Sequence, residues 1–285
     1  TASTAEVLSL RSSDTNGSHI IFEESTTARG YVGIAGGVVT SGGDNFVVRS
    51  EADLLLASGG NNIRMVIDAN SRISLSNNDA SGAVGTTLFG YNAGLSVVSG
   101  AIQNTFIGHE VSDATMTNGA DYNTAVGASS MSALTSGTQN TAHGMNSLHR
   151  VTSGSYNTAI GVASLEDITT TSNNTAVGRQ SGFYSVGTDN TYIGYQSGLG
   201  SDGSGADNYN TAVGSLSLTA ITTGAENTTV GYASGDTITS GTKNTIVGYN
   251  TDVSDVGAIN RTGLGNGITL GANNSVVLGN NDVTA

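Results

Sequence analysis

An all-β fold is predicted: an elongated β-solenoid, or β-roll, of about twelve 17-residue coils, preceded by a smaller all-β module. Three observations carry this reading. The pentad Asn-Thr-x-(Val/Ile)-Gly begins at Asn104, Asn123, Asn157, Asn174, Asn190, Asn210, Asn227 and Asn244, with His143 in the aliphatic place of the copy at Asn140. The 37 Thr, 36 Ser, 28 Asn and 41 Gly make up half of the 285 residues, while only 11% are charged and 5% aromatic. No amphipathic helix of useful length can be read anywhere.

The repeat is the first element to justify. From Asn104 to Asn244 is 140 residues in eight steps, a mean of 17.5. A degenerate copy at Thr86–Gly90 precedes the series, and Asn260 to Gly263 and Asn274 to Gly279 close it with altered spacing. A period near 17 is too short for a helical hairpin, and Thr, Val and Ile favour strand, so each unit is one coil of a solenoid. By the two-residue period of a strand, Thr and the aliphatic residue share one face, expected to point into the coil. Asn and the third residue then face the other way. A second strand of the type Ser-Leu-x-x-(Ile/Leu)-Thr is expected at Ser164–Thr169 and Ser217–Thr222. Pairs such as Ser136-Gly137, Ser153-Gly154, Thr223-Gly224 and Ser240-Gly241 then turn the chain, glycine accepting positive φ.

Residues 1–82 hold no pentad and 5 of the 9 basic residues. Strands are expected at Glu6–Arg11, His19–Glu23, Tyr31–Val39, Asn45–Arg49, Asp53–Ala57, Ile63–Asp68 and Arg72–Ser76, separated by Gly- and Asn-rich turns. The division is therefore 1–82, a β-rich module, and 83–285, the repeat solenoid. The chain opens at Thr1 without Met or a signal-type segment, which reads as a piece of a longer polypeptide.

Composition excludes several function classes. With no Cys, disulfides and thiol or zinc-ribbon chemistry are excluded. Nine basic against 22 acidic residues leave a net charge of −13, the wrong sign for nucleic acid or anionic lipid. No apolar run reaches the 18 residues of a membrane span.

The repeats, with their ending Asn274-Ser275-Val276-Val277-Leu278-Gly279-Asn280-Asn281, are similar to the Asn-Ser-x-Ala-(Ile/Leu)-Gly repeats in the heads of trimeric autotransporter adhesins. The chain more closely resembles the distal part of bacteriophage tail fibres. There, segments like Arg64-Met65-Val66-Ile67-Asp68-Ala69-Asn70 and Leu278-Gly279-Asn280-Asn281-Asp282-Val283-Thr284 precede a self-cleaving intramolecular chaperone. The resemblance implies a homotrimeric fibre segment of a virion that attaches to a host surface; a bacterial cell-surface adhesin head is the alternative. The repeat is longer than is usual in autotransporter heads, and the chaperone with its catalytic Ser and Lys is absent.

Candidate chemistry is sparse. The Asn ladder reads as stacked amides satisfying one another from rung to rung. The Thr ladder invites comparison with ice-binding solenoids, but those need exposed Thr-x-Thr rows and these threonines are expected to be half buried. Tyr91, His109, Tyr195, Tyr232 and Tyr249 each follow the glycine of a pentad copy, and aromatic rings on a hydroxyl-rich rod suit stacking on saccharides. Tyr122, Tyr156 and Tyr209, before the Asn, read as interface or turn packing. His143 reads as an inward, merely hydrogen-bonded side chain; the alternative is that three copies meet in a trimer and hold an anion or a metal. No metal or cofactor motif is present, so neither is expected. Glu166-Asp167 is the only adjacent carboxylate pair of the repeats, and a polysaccharide depolymerase would need carboxylates converging across a cleft. No enzyme activity is expected. The partners expected are further copies of the chain, other fibre segments and a host-surface polysaccharide.

Overall fold

The computed structural model describes the backbone of six strands in the first unit and residues 85–280 except 202–204 and 206. The chain divides into two compact units, Thr1–Ser76 and Asn77–Ala285. In the first, β1 (His19–Glu24), β2 (Thr27–Ile34) and β3 (Phe46–Ser50) form one antiparallel sheet. β4 (Leu54–Ala57), β5 (Ile63–Ile67) and β6 (Ile73–Ser74) form another. β2 begins four residues earlier than expected because β1 turns back over a two-residue connection, pairing Glu24 with Thr27. The expected strand Glu6–Arg11 lies outside the described residues.

The second unit is a parallel β-solenoid. Its strands are β7 (Thr87–Phe89), β8 (Thr105–Ile107), β9 (Thr124–Val126), β10 (Thr141–His143), β11 (Thr158–Ile160), β12 (Thr175–Val177), β13 (Thr191–Ile193), β14 (Thr211–Val213), β15 (Thr228–Val230) and β16 (Thr245–Val247). β17 (Asp252–Val253), β18 (Arg261–Leu264), β19 (Thr269–Leu270) and β20 (Ser275–Leu278) follow. Twelve of these make a single parallel sheet, from β7 through β16 in order and then β18 and β20. Register is strict: Thr pairs with Thr and the third residue with the third, as in Thr141↔Thr158 and Ala142↔Ala159. No helix occurs among the described residues.

The faces are the reverse of the expectation. Asn and the third residue of each pentad point into the coil, and Thr and Val/Ile point out. Asn140 and Ala142 are fully buried, whereas Thr141 and His143 are exposed; the next coils repeat the pattern. Two constraints set this parity. The interior is narrow: a Cβ on Gly198 would stand 2.3 Å from the Tyr192 ring, and where the third place holds Ala142 the place of Gly198 holds the buried Leu148. The Asn amide must also reach across the coil: Asn140 Nδ2 donates to Gly154 O at 2.8 Å, a bond Thr cannot make.

The Asn ladder is fully satisfied. Asn140 donates its backbone N–H (3.0 Å) and Nδ2 (3.1 Å) to Asn123 Oδ1, and its own Oδ1 accepts the same two groups of Asn157. Each buried amide thus ties one coil to the next and one wall to the other. Arg261, not Asn260, stands next in the ladder: its N–H donates to Asn244 Oδ1 at 3.0 Å. Its buried guanidinium donates to Asn273 Oδ1, Leu270 O and Asp255.

The expected second strand is a run of stacked turns instead. Ala163 (φ 57°) and Leu165 (φ 48°), two residues apart, both lie in the left-handed region, which strand residues do not. The backbone still bonds along the rod, Leu148 N donating to Ser164 O and Leu165 N to Ser181 O at 3.0 Å. Among the described residues, only β17 and β19 pair as strands on this wall. The two classes of glycine also differ from expectation. Gly161, closing its pentad, has φ 131°, which only glycine adopts readily. The corner glycines have no positive φ; a Cβ on Gly224 would lie 2.5 Å from Gly241 O, so close stacking is what demands them.

Candidate binding site

The outward face of the sheet carries two columns, Thr and Val/Ile, flanked by a column on each side. The aliphatic column is unusually bare, with Phe89, Ile107, Ile160, Ile193, Val230, Leu264 and Leu278 all exposed. The threonines are exposed or half buried, so the Thr column faces outward rather than into the coil.

The candidate aromatic residues stand in the column after the pentad glycine, all exposed, and fall into three separate groups. Tyr91 and His109 stack at 5.3 Å and 23°, with His109 Nδ1 3.6 Å from Glu110 Oε2. Tyr195 lies beneath the Arg179 guanidinium, 5.7 Å from the ring centre. Tyr232 and Tyr249 stack at 5.4 Å and 16°. Ala128, Met145 and Val162 separate the first group from the second, and Ser215 the second from the third. Rings stacked at one rung's spacing cover each other's faces, so a ligand meets their hydroxyl-bearing edges and the outer faces of each pair. Arg179 was not singled out from the sequence, although its place one residue after Gly178 marked it as a member of this column.

Tyr122, Tyr156 and Tyr209, on the other flank, are exposed, and each is in the left-handed region at φ near 60°. They bend the chain so that the following Asn enters the coil. His143 points outward, between Val126 and Ile160 in register.

Several titratable groups away from this face are structural or paired. Asp207 is buried, accepting from Tyr192 Oη (2.6 Å), Ser185 Oγ (3.0 Å) and Gly187 N (3.0 Å). Burial pushes its carboxyl up to about 6, and the same enclosure, with Asp207 alongside, raises the Tyr192 phenol. Neither Asp207 nor its pairing was foreseen; its signal is that an acid occupies the place of a corner glycine. Glu166 and Asp167 do not form an acid pair: Asp167 meets Arg150 at 3.1 Å, and Glu166 is raised by partial burial. Asp236 and Asp252, on adjacent rungs, do pair. Burial, and then the hydrogen bond and charge of Asp252, bring Asp236 to about 6. Two carboxyls hydrogen-bonded to each other leave no room between them for a glycosidic oxygen and its water. Among the described residues no three His, Asp or Glu side chains of one chain gather as for a metal.

No family model, curated protein or solved structure matches the chain, so the rungs themselves supply what can be argued about its role.

Proposed function

We propose that the chain is a structural and adhesive segment of a fibre of the phage tail-fibre type, three copies meeting along the Thr/Val face and contributing to attachment at a host surface. The supporting observation is the bare aliphatic column. Eleven steps at ~4.8 Å make a face about 53 Å long, so a partner seated on its two outward columns is met at every rung. The face is flat and regular, so copies related by rotation about the rod axis repeat one contact at every rung. Tyr195, Tyr232 and Tyr249, with Tyr91 and His109, lie on the flank and offer edges and outer ring faces to an extended saccharide. Light scattering and crosslinking test the assembly. The expected result is a mass three times 28.5 kDa; a stable folded monomer overturns it.

A second reading rests on the outward Thr column. Hydroxyl and aliphatic groups alternating on a rigid, in-register lattice can order water, as in ice-binding solenoids. It requires the same face to be free. A monomer showing thermal hysteresis supports this reading against the first.

A further inference from the structure

We infer that His143 is a metal ligand completed by assembly: in the trimer proposed above, on which this inference rests, three His143 imidazoles converge on the axis and hold one divalent transition-metal ion. Phe89, Ile107, Val126, Ile160, Val177, Ile193, Val213, Val230, Val247, Leu264 and Leu278 are apolar, and His143 alone among its twelve members is not. Its rung is otherwise regular, Thr141-Ala142-His143 pairing residue for residue with Thr124-Ala125-Val126 and Thr158-Ala159-Ile160. Nothing local explains the exchange. The ring is exposed, and among the described residues no hydrogen bond, ion pair or ring contact engages it.

An assembly that covers this column carries the imidazole among its aliphatic side chains, where an unpaired polar group is costly. Val126 and Ile160 on the adjoining rungs of the column offer it no hydrogen bond, and the threefold relation brings the same ring from each partner to the same level. Neutral imidazole lone pairs converging from three sides are the donor set of a trigonal or tetrahedral site, with nitrogen–metal distances of ~2.0–2.1 Å for zinc and a water in the fourth place. No carboxylate or thiol stands in the column, which favours the borderline metals, Zn(II), Co(II), Ni(II) and Cu(II), over calcium or magnesium.

The experiment uses the whole chain at about pH 8, above the ordinary imidazole range. Mass is measured by light scattering and melting by calorimetry, with Zn(II) and with chelator, in wild type and in His143→Val. Val occupies this place in neighbouring coils, so the variant retains the column. The expected wild-type result is one zinc per three chains after dialysis and a melting temperature several degrees higher with Zn(II), reversed by chelator. His143→Val is expected to assemble equally, to melt as high without metal and to lose the Zn(II) response. A trimer that binds no zinc at this stoichiometry, or whose response persists in His143→Val, overturns the metal site and leaves the assembly standing. A monomer overturns the assembly itself, and the site with it.

Discussion

The coils that begin at Asn140 and Asn190 close the same cross-section in opposite ways. In the first, Ala142 on the sheet wall faces Leu148 six residues on; in the second, Tyr192 faces Gly198. The exchange recurs: Ala125 with Met131, Ala159 with Leu165 and Ala212 with Leu218, against Leu88 with Gly94 and Thr229 with Gly235. A Cβ on Gly94 would stand 2.6 Å from Leu88 Cδ2, and one on Gly235 2.7 Å from Thr229 Cγ2. Ala176 faces Gly182, both small, and the Tyr192 ring of the next coil fills the gap, 2.9 Å from where a Gly182 Cβ would be. In these coils core volume is held by pairs, as close packing requires, while Phe106 is answered by Ser112 and Ile246 by Asp252. The Tyr192 coil is also longer, 20 residues rather than 17, and ends on Asp207 where its neighbours have Gly154 or Gly224. A polar ring tip needs a partner inside the rod, and Asp207 supplies it.

The sharpest break in this comparison is a charge on the inward wall. Ala176→Asp places a carboxylate where no partner exists and is expected to cost several kcal/mol, unravelling the central coils. Val177→Asp, one residue on but outward, is expected to leave the fold intact and to weaken assembly. Circular dichroism melting and light scattering on both variants separate the two effects; equal loss of folding would contradict the assignment of faces.

Next in size is Tyr192→Ala, which opens a cavity and strands Asp207, at about 3–5 kcal/mol in urea unfolding. Leu148, Leu165 and Leu218 take φ of 48–54° at the place where Gly198 has φ 59°, so the backbone there accepts leucine once the ring is gone. The triple variant Tyr192→Ala, Gly198→Leu, Asp207→Gly converts this coil to its neighbours' type and is expected to recover most of the loss. Recovery no greater than from the single changes would mean that volume pairing is not what holds the coil.

Asp207 gives a smaller, pH-dependent effect. Its carboxyl is raised to about 6 in the folded chain, against ~3.9 when unfolded, so the neutral form favours folding. The associated stability is fully present below about pH 4 and is lost as pH rises through 6, a span of about 3 kcal/mol at most. Urea midpoints of wild type and Asp207→Asn between pH 4 and 8 should converge at the acid end and part at the alkaline end, the variant being the more stable there.

The smallest effect on the fold is expected from Tyr232→Ala with Tyr249→Ala. Both rings are exposed and pack mainly on each other, so melting should hold. Attachment to host cells or isolated surface polysaccharide should weaken by ~0.5–1.5 kcal/mol per lost contact. Unchanged attachment would assign the pair to packing.

The aromatic column was legible from position alone, because every member follows a pentad glycine. Its division into three groups was not, since Ser215 and the Ala128–Val162 interruption matter only once rungs are stacked. The volume pairing, too, was partly written in the chain: Leu88, Tyr192 and Thr229 in the third place of a pentad copy are answered by a glycine six places on, whereas Phe106 is answered by Ser112 and Ile246 by Asp252. The glycine answers identify the third place as inward and could have corrected the assignment of faces. Asp207 was opaque because its coil is 20 residues long, which shifts the spacing by which a corner residue is recognised.

The sequence by itself determined the period, the parallel stacking and the register, because identical residues every 17 places can pair only with themselves. It did not determine which side of each strand is inside. Alternation with a period of two reads the same when the strand is turned over, and Val looked the better core residue than Ala. The tertiary structure decided the matter through partners distant in the chain: a buried leucine six residues on that shares the narrow interior with the alanine, and a corner carbonyl fourteen residues on that the asparagine amide reaches.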